Sequence, residues 1–254
     1  MPKAVPSSLA AFFAEHPRLA LAFSGGVDSA YLLYAAKACG CDVTAYYAQS
    51  AFQPAFERED AVKLAEQLKA QVLFIPLDVL SDATVRANPA DRCYHCKNRI
   101  FTALIDAARR DGYDVIIDGT NASDDAGDRP GMRALSELHV LSPLRLCGIT
   151  KAQVRAYSRE AGLFTWDKPA YACLATRVPS GTALSAGLLQ RIEGAEDQLF
   201  RLGFSDFRCR VFNDAARLQF HKDQYDRAAA MRTDIQDALR PFFDVILMDT
   251  EVRG

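Results

Sequence analysis

Two short stretches of this chain carry residue types with chemistry of their own. One is Ser24-Gly25-Gly26-Val27-Asp28-Ser29, and the other is Asp91-Arg92-Cys93-Tyr94-His95-Cys96-Lys97. In the first, paired glycines let the backbone turn tightly and approach a ligand closely. The turn lies between an apolar run ending at Phe23 and a helical pattern stopped by Gly40. A helix N-terminus placed there offers free amides and a positive dipole end to an anion. A Walker loop would need Gly-Lys-Ser/Thr at this place. There is no lysine, which argues against a kinase or a GTPase. A bare Gly-Gly turn is the competing reading, and the two flanking serines favour phosphate over it.

In the second stretch Cys93 and Cys96 are three apart, which puts both thiols on one face of a helix. Thiolates suit softer metals. A tetrahedral zinc needs two more ligands, and the chain has no second Cys-x-x-Cys. His95 points elsewhere on a helix. Cys173, in Ala170-Tyr171-Ala172-Cys173, is the third candidate thiol. Three cysteines without a clear fourth ligand describe an iron–sulfur cluster with one open iron. Redox use and plain packing stand as alternatives. Cys39, Cys41, Cys147 and Cys209 read as small packing residues.

The elements that must position these stretches alternate along the chain. Strand patterns at Arg18–Phe23, Cys41–Ser50, Gln71–Asp78, Tyr113–Asn121 and His139–Leu144 are separated by helical ones, including Arg92–Arg110 and a helix from Thr150 to Gly162. This alternation predicts an α/β fold with a doubly wound, mainly parallel sheet. The pattern changes near Leu163. A turn-rich linker precedes a helix, two strands (Asp206–Phe212 and Ala215–Phe220), one helix over Asp223–Arg240 and a last strand ending at Asp249. We expect a nucleotide-binding domain at 1–165, then a linker and a small α+β domain at 166–254.

Composition narrows the function. The 254 residues carry a formal net charge of −2, so no broad basic face is expected for nucleic acid. No run approaches a membrane span, and a cytoplasmic protein with no membrane partner is expected. Seven cysteines at irregular spacing argue against a disulfide framework.

"SGGVDS" matches the SGGxDS signature of the PP-loop ATP pyrophosphatases. Together with "NPADRCYHCK", "DGTNASDDAGDRPGMRA", "KPAYACLATRVPSGT" and "RCRVFNDAARLQF", it makes the chain resemble the LarE family of ATP-dependent sulfur transferases over most of its length. That resemblance implies the PP-loop (Rossmann-like) fold, with ATP and Mg²⁺ as cofactors. The small-molecule substrate is pyridinium-3,5-biscarboxylic acid mononucleotide, a precursor of the nickel-pincer nucleotide. Each carboxylate is adenylated and then converted to a thiocarboxylate. Ser24, Gly25, Gly26 and Ser29 would cradle pyrophosphate, with Asp28 beside the phosphates and the magnesium. Members with one cysteine, at the position of Cys173, give up its own sulfur. Members with three, here Cys93, Cys96 and Cys173, hold a [4Fe-4S] cluster that carries sulfide from a donor the residues do not identify. Lys97, Arg129, Arg177, Arg208 and Arg210 are candidate phosphate or substrate contacts by local motif, with Glu196 a weaker one. Gln219 stands where single-cysteine relatives are expected to have Glu, which puts a carboxylate metal site there in doubt. The resemblance also implies a homo-oligomer, a trimer-based hexamer. The competing functions are the sacrificial-cysteine reaction, a tRNA-thiolating PP-loop enzyme, and a non-catalytic nucleotide-binding module with structural zinc.

Overall fold

The computed structural model describes residues 4–124 and 129–253, with 129 and 130 described in their backbone only. In chain order the elements are α1 (Ser7–Glu15), β1 (Arg18–Ala22), α2 (Val27–Ala38), β2 (Asp42–Gln49), α3 (Ala55–Leu68), β3 (Gln71–Pro76), α4 (Ala83–Ala87), α5 (Arg92–Arg110), β4 (Ile116–Ile117), α6 (Arg129–Glu137), α7 (Pro143–Leu146), α8 (Lys151–Glu160), α9 (Ala186–Arg201), β5 (Phe207–Phe212), β6 (Ala215–Phe220), α10 (Lys222–Ala230), α11 (Arg232–Leu239) and β7 (Ile246–Met248). A 3₁₀ turn covers Leu174–Arg177. The chain forms two compact units. The first runs to Ser50, then takes Ala55–Val79 and Asp91–Ala170; the second takes Ala51–Pro54, Leu80–Ala90 and the chain from Tyr171 onward.

The first unit is built on a parallel sheet in the order β3-β2-β1-β4. Leu19, Ala20 and Leu21 of β1 are all buried, as a strand covered on both faces requires. α2 buries Tyr31, Leu32, Leu33, Ala35 and Ala36, and each such leucine contributes about 1.5–3 kcal/mol through burial. The strand order reverses between β1 and β4. In open α/β sheets, ligands bind outside the carboxyl ends of strands at such a switch point. Ser24–Ser29 follows β1 there, and Asp118–Asp124 follows β4.

Two local expectations are corrected. His139–Leu144 is not a strand: Leu141 makes an isolated bridge to Ile117, and Pro143, at the first position of α7 behind Ser142, starts a helical turn instead. The helix expected over Asp223–Arg240 is two, parted at Met231, whose ψ of 18° leaves the helical range.

The second unit has the sheet β5-β6-β7, an antiparallel pair followed by a parallel one. Leu189, Ile192 and Leu199 of α9 are buried, as are Phe204, Phe207 and Phe220. The rings of Phe204 and Phe220 lie 4.9 Å apart. Asn88, in the left-handed region at φ 55°, fastens the earlier piece of this unit: its side chain donates to the Pro179 carbonyl at 2.9 Å, and its own carbonyl accepts from Gly181 N at 2.8 Å.

Candidate active site

The glycine turn stands between β1 and α2. Gly25 has φ +73°, and a Cβ there would lie 3.0 Å from the Glu57 carbonyl oxygen, so only glycine fits without strain. Ser24 and Ser29 lock the turn. Their hydroxyl oxygens are 3.1 Å apart, Ser24 N donates to Ser29 Oγ at 3.3 Å, and Ser29 Oγ donates to the Gly26 carbonyl at 3.2 Å. No side chain caps α2 at Gly26, which leaves its first-turn amides to an outside acceptor. The loop after β4 approaches this turn closely: a Cβ on Gly119 would sit 3.1 Å from Ser29 N.

Asp28, in the first turn of α2, meets two partners. Lys151 Nζ forms an ion pair with its Oδ2. Asn121, fully buried, donates from Nδ2 to Oδ1 at 3.4 Å. Asn121 is itself held by Ser123 N, which donates to its Oδ1 at 2.8 Å. Burial raises the Asp28 carboxyl above the usual range, and the Lys151 ammonium pulls it back. Asp118, buried at the end of β4, accepts from Ser142 Oγ at 2.6 Å and from Thr120 Oγ1 at 2.5 Å. Burial raises its carboxyl, opposed by those hydroxyls and by Lys97. Lys97 thus acts electrostatically on the same loop.

Cys93 and Cys96 lie in the first turns of α5, both half-buried. Arg92 Nη2 is 3.7 Å from Cys93 Sγ. His95 turns back along the helix to Asp91, 3.3 Å away. Cys173 precedes the 3₁₀ turn in the second unit. Among the described residues, no group of three or more His, Cys, Asp or Glu is gathered as metal ligands.

The second unit brings four sequence candidates together. Arg177 is 1% exposed and meets Glu196, also 1% exposed, in a bidentate pair: Nε to Oε1 at 2.8 Å and Nη2 to Oε2 at 3.0 Å. Burial alone would lower this guanidinium, and Glu196 more than offsets it. Glu196 also accepts from Tyr171 OH and, at 2.9 Å, from Cys209 N. Arg177 Nη1 donates to the Ala172 carbonyl at 2.9 Å, and Thr176 Oγ1 donates to the Cys173 carbonyl at 2.8 Å. The frame therefore holds the backbone on both sides of Cys173. The Arg208 guanidinium lies 5.5 Å from the Tyr171 ring centre. Burial, then Arg177 and Arg253, push Arg208 down to about 10. Guanidinium stays charged at ordinary pH; the shift reflects burial first and the neighbouring positive charge of Arg177 and Arg253 second. Arg210 is lowered in the same way, by burial and then by Arg177, Arg253 and Arg217.

Arg210 Nε donates to Gln219 Oε1 at 2.6 Å, and Gln219 Nε2 donates to Asp249 at 2.7 Å. Arg217 pairs with Asp249 at 2.6 Å. Gln219 is thus a neutral relay between an arginine and a carboxylate. Arg129 opens α6, but its side chain lies outside the described residues.

Sequence reasoning missed Lys151, Asn121, Asp118 and Tyr171. One signal was available for Lys151. A lysine at the first position of a helix sits at the positive end of the dipole, against preference.

No family model matches the chain. An uncharacterized protein of Synechocystis is 36% identical, over 85% of this chain and 81% of that one. The pyridinium-3,5-bisthiocarboxylic acid mononucleotide synthase of Lactiplantibacillus plantarum is also 36% identical, over 84% of this chain and 78% of that enzyme. The tRNA-specific 2-thiouridylase MnmA of Frankia alni is 32% identical, over 60% of this chain and 53% of that protein. Together with the parallel sheet and its glycine turn, the second of these likenesses decides the matter: the chain belongs to the LarE family of ATP-dependent sulfur transferases, within the PP-loop ATP pyrophosphatase superfamily.

Proposed function

We propose that this enzyme adenylates the carboxylates of pyridinium-3,5-biscarboxylic acid mononucleotide and converts them to thiocarboxylates. The observation that carries this reading is the likeness to a named synthase over 78% of that enzyme, against 53% of the tRNA thiolase. A substrate carboxylate oxygen attacks the α-phosphorus of ATP; the bond to the β-phosphate breaks and pyrophosphate leaves. A sulfur nucleophile then attacks the acyl carbon, and AMP leaves with the pair of electrons from the broken C–O bond. Ser24, Gly25, Gly26 and Ser29 hold the pyrophosphate portion through backbone amides and hydroxyls. Arg208 and Arg210 supply the crowded positive charge that suits a nucleotide phosphate. Arg177 and Glu196 act as positioning residues, since their buried pair frames Cys173.

Asp28 fits magnesium by its donor chemistry, an oxygen ligand beside a phosphate site. When bound, that ion would neutralise charge developing on the phosphates. Cys93, Cys96 and Cys173 fit a [4Fe-4S] cluster by donor type, three thiols with two of them one helical turn apart. When bound, the cluster would supply an open iron for exogenous sulfide. Lys97, one residue beyond Cys96, and Arg129 complete the proposed contacts. We further propose a cytoplasmic homo-oligomer, hexameric as in the family, with a distinct 1–165 nucleotide domain and a sulfur-transfer or oligomerisation domain over 166–254.

The test is anaerobic iron and sulfide analysis of wild type beside Cys93→Ala and Cys173→Ala, with AMP release measured on the biscarboxylate. Iron and sulfide lost in both variants support the cluster. A colourless active enzyme whose Cys173 loses the mass of hydrogen sulfide per transfer would replace it with the sacrificial route. AMP release independent of the biscarboxylate would remove the substrate assignment.

A further inference from the structure

The glycine turn contains no cation, yet the leaving group it would hold is pyrophosphate. α8 supplies one from elsewhere in the chain. Lys151 is the first residue of α8, and its ammonium reaches the Asp28 carboxylate in the first turn of α2. The approach is built. Thr150 and Gln153 form a capping box that fixes where α8 starts. Lys151 N donates to Ser123 Oγ at 3.0 Å, and Ala122 N donates to the Ile149 carbonyl at 2.9 Å, tying α8 to the loop after β4. From that same loop the buried Asn121 amide points at the other Asp28 oxygen. A lysine at this end of a helix is electrostatically misplaced unless it has anions to meet. Among the described residues, the charged groups acting on Asp28 are Lys151 and Arg155 on α8 and Asp124 on the loop.

We propose that Lys151 is the phosphate-contacting lysine of this site. It pairs with Asp28 when the site is empty and moves to the β- and γ-phosphates when ATP binds, leaving the Asp28 carboxylate to magnesium. The chain thereby places on a second helix the charge that a Walker loop carries in its own turn. This rests on the reading that Ser24–Ser29 holds the phosphates.

Equilibrium binding of ATP, AMP and inorganic pyrophosphate, each in EDTA and in magnesium, tests it on wild type, Lys151→Met, Lys151→Arg and Ser29→Ala. A charge-assisted contact predicts that Lys151→Met weakens ATP and pyrophosphate about 10- to 100-fold, in EDTA as well as in magnesium. AMP should change by less than about twofold, and Lys151→Arg should recover most of the loss by keeping the charge. Equal losses for ATP and AMP, or no loss, would overturn the proposal and leave Lys151 a structural partner of Asp28. If Ser29→Ala binds all three ligands as wild type does, the phosphate site itself lies elsewhere and the underlying reading fails first. Thermal melts of the variants separate misfolding from lost contact. A Lys151→Met protein that does not fold, with Lys151→Arg folded and binding ATP no better than AMP, also counts against it.

Discussion

The two candidate anion sites, one in each unit, are built in opposite ways. In the first, backbone does most of the work: a glycine turn, an uncapped helix start and two serines within six consecutive residues. In the second, side chains do it. Arg177, Arg208, Arg210 and Glu196 come from a 3₁₀ turn, a helix and a strand, and two of them are 1% exposed or less. The glycine turn depends above all on conformational freedom at Gly25, which no other residue supplies without strain. A buried side-chain site tolerates neither partner of a pair being removed, because the charge left behind has no water.

That contrast can be broken by mutation. Glu196→Ala should cost about 3–5 kcal/mol, read by denaturant unfolding and by loss of hydrogen-exchange protection at residues 171–177. The double change Arg177→Met with Glu196→Leu should recover much of that stability without restoring activity. A single variant as stable as wild type would mean that the frame contributes nothing. In the first unit Gly25→Ala should cost about 1–3 kcal/mol from left-handed backbone strain, measured by thermal melting, and should lose ATP binding. ATP bound at wild-type affinity by that variant would erase the distinction between the two units. Thr150→Ala removes one half of the capping box and should cost about 1 kcal/mol; pyrophosphate affinity should fall with it, because the start of α8 loosens around Lys151. The smallest effect separates the thiols. Burial, then Cys39, raises Cys41 to about 11, so at pH 8 about one in a thousand is thiolate. Its alkylation, followed by mass spectrometry, should quicken about tenfold per pH unit up to that value. Cys209, fully buried in the second unit, should stay protected until that unit opens. Equal rates for the two at pH 8 would contradict their different burial.

The membership of the chain in its family and its parallel α/β fold were legible in the residues, for a physical reason. "SGGVDS" is local: the turn, the helix start and the hydroxyls it needs are all within reach of one another along the backbone. Hydrophobic runs bounded by glycine and helix-period segments likewise report burial directly, and α5 begins and ends at Arg92 and Arg110 as its pattern predicts. Where the local pattern was thin it misled, as at His139–Leu144, where a short, mostly apolar run fitted either element, and at Met231, where neither glycine nor proline marks the break. Tertiary structure alone decided which charges meet. Lys151 lies 123 residues from Asp28, and Glu196 lies 19 from Arg177. Nothing in the spacing of such residues fixes whether they pair, because that depends on how packed elements bring distant side chains into one low-dielectric place.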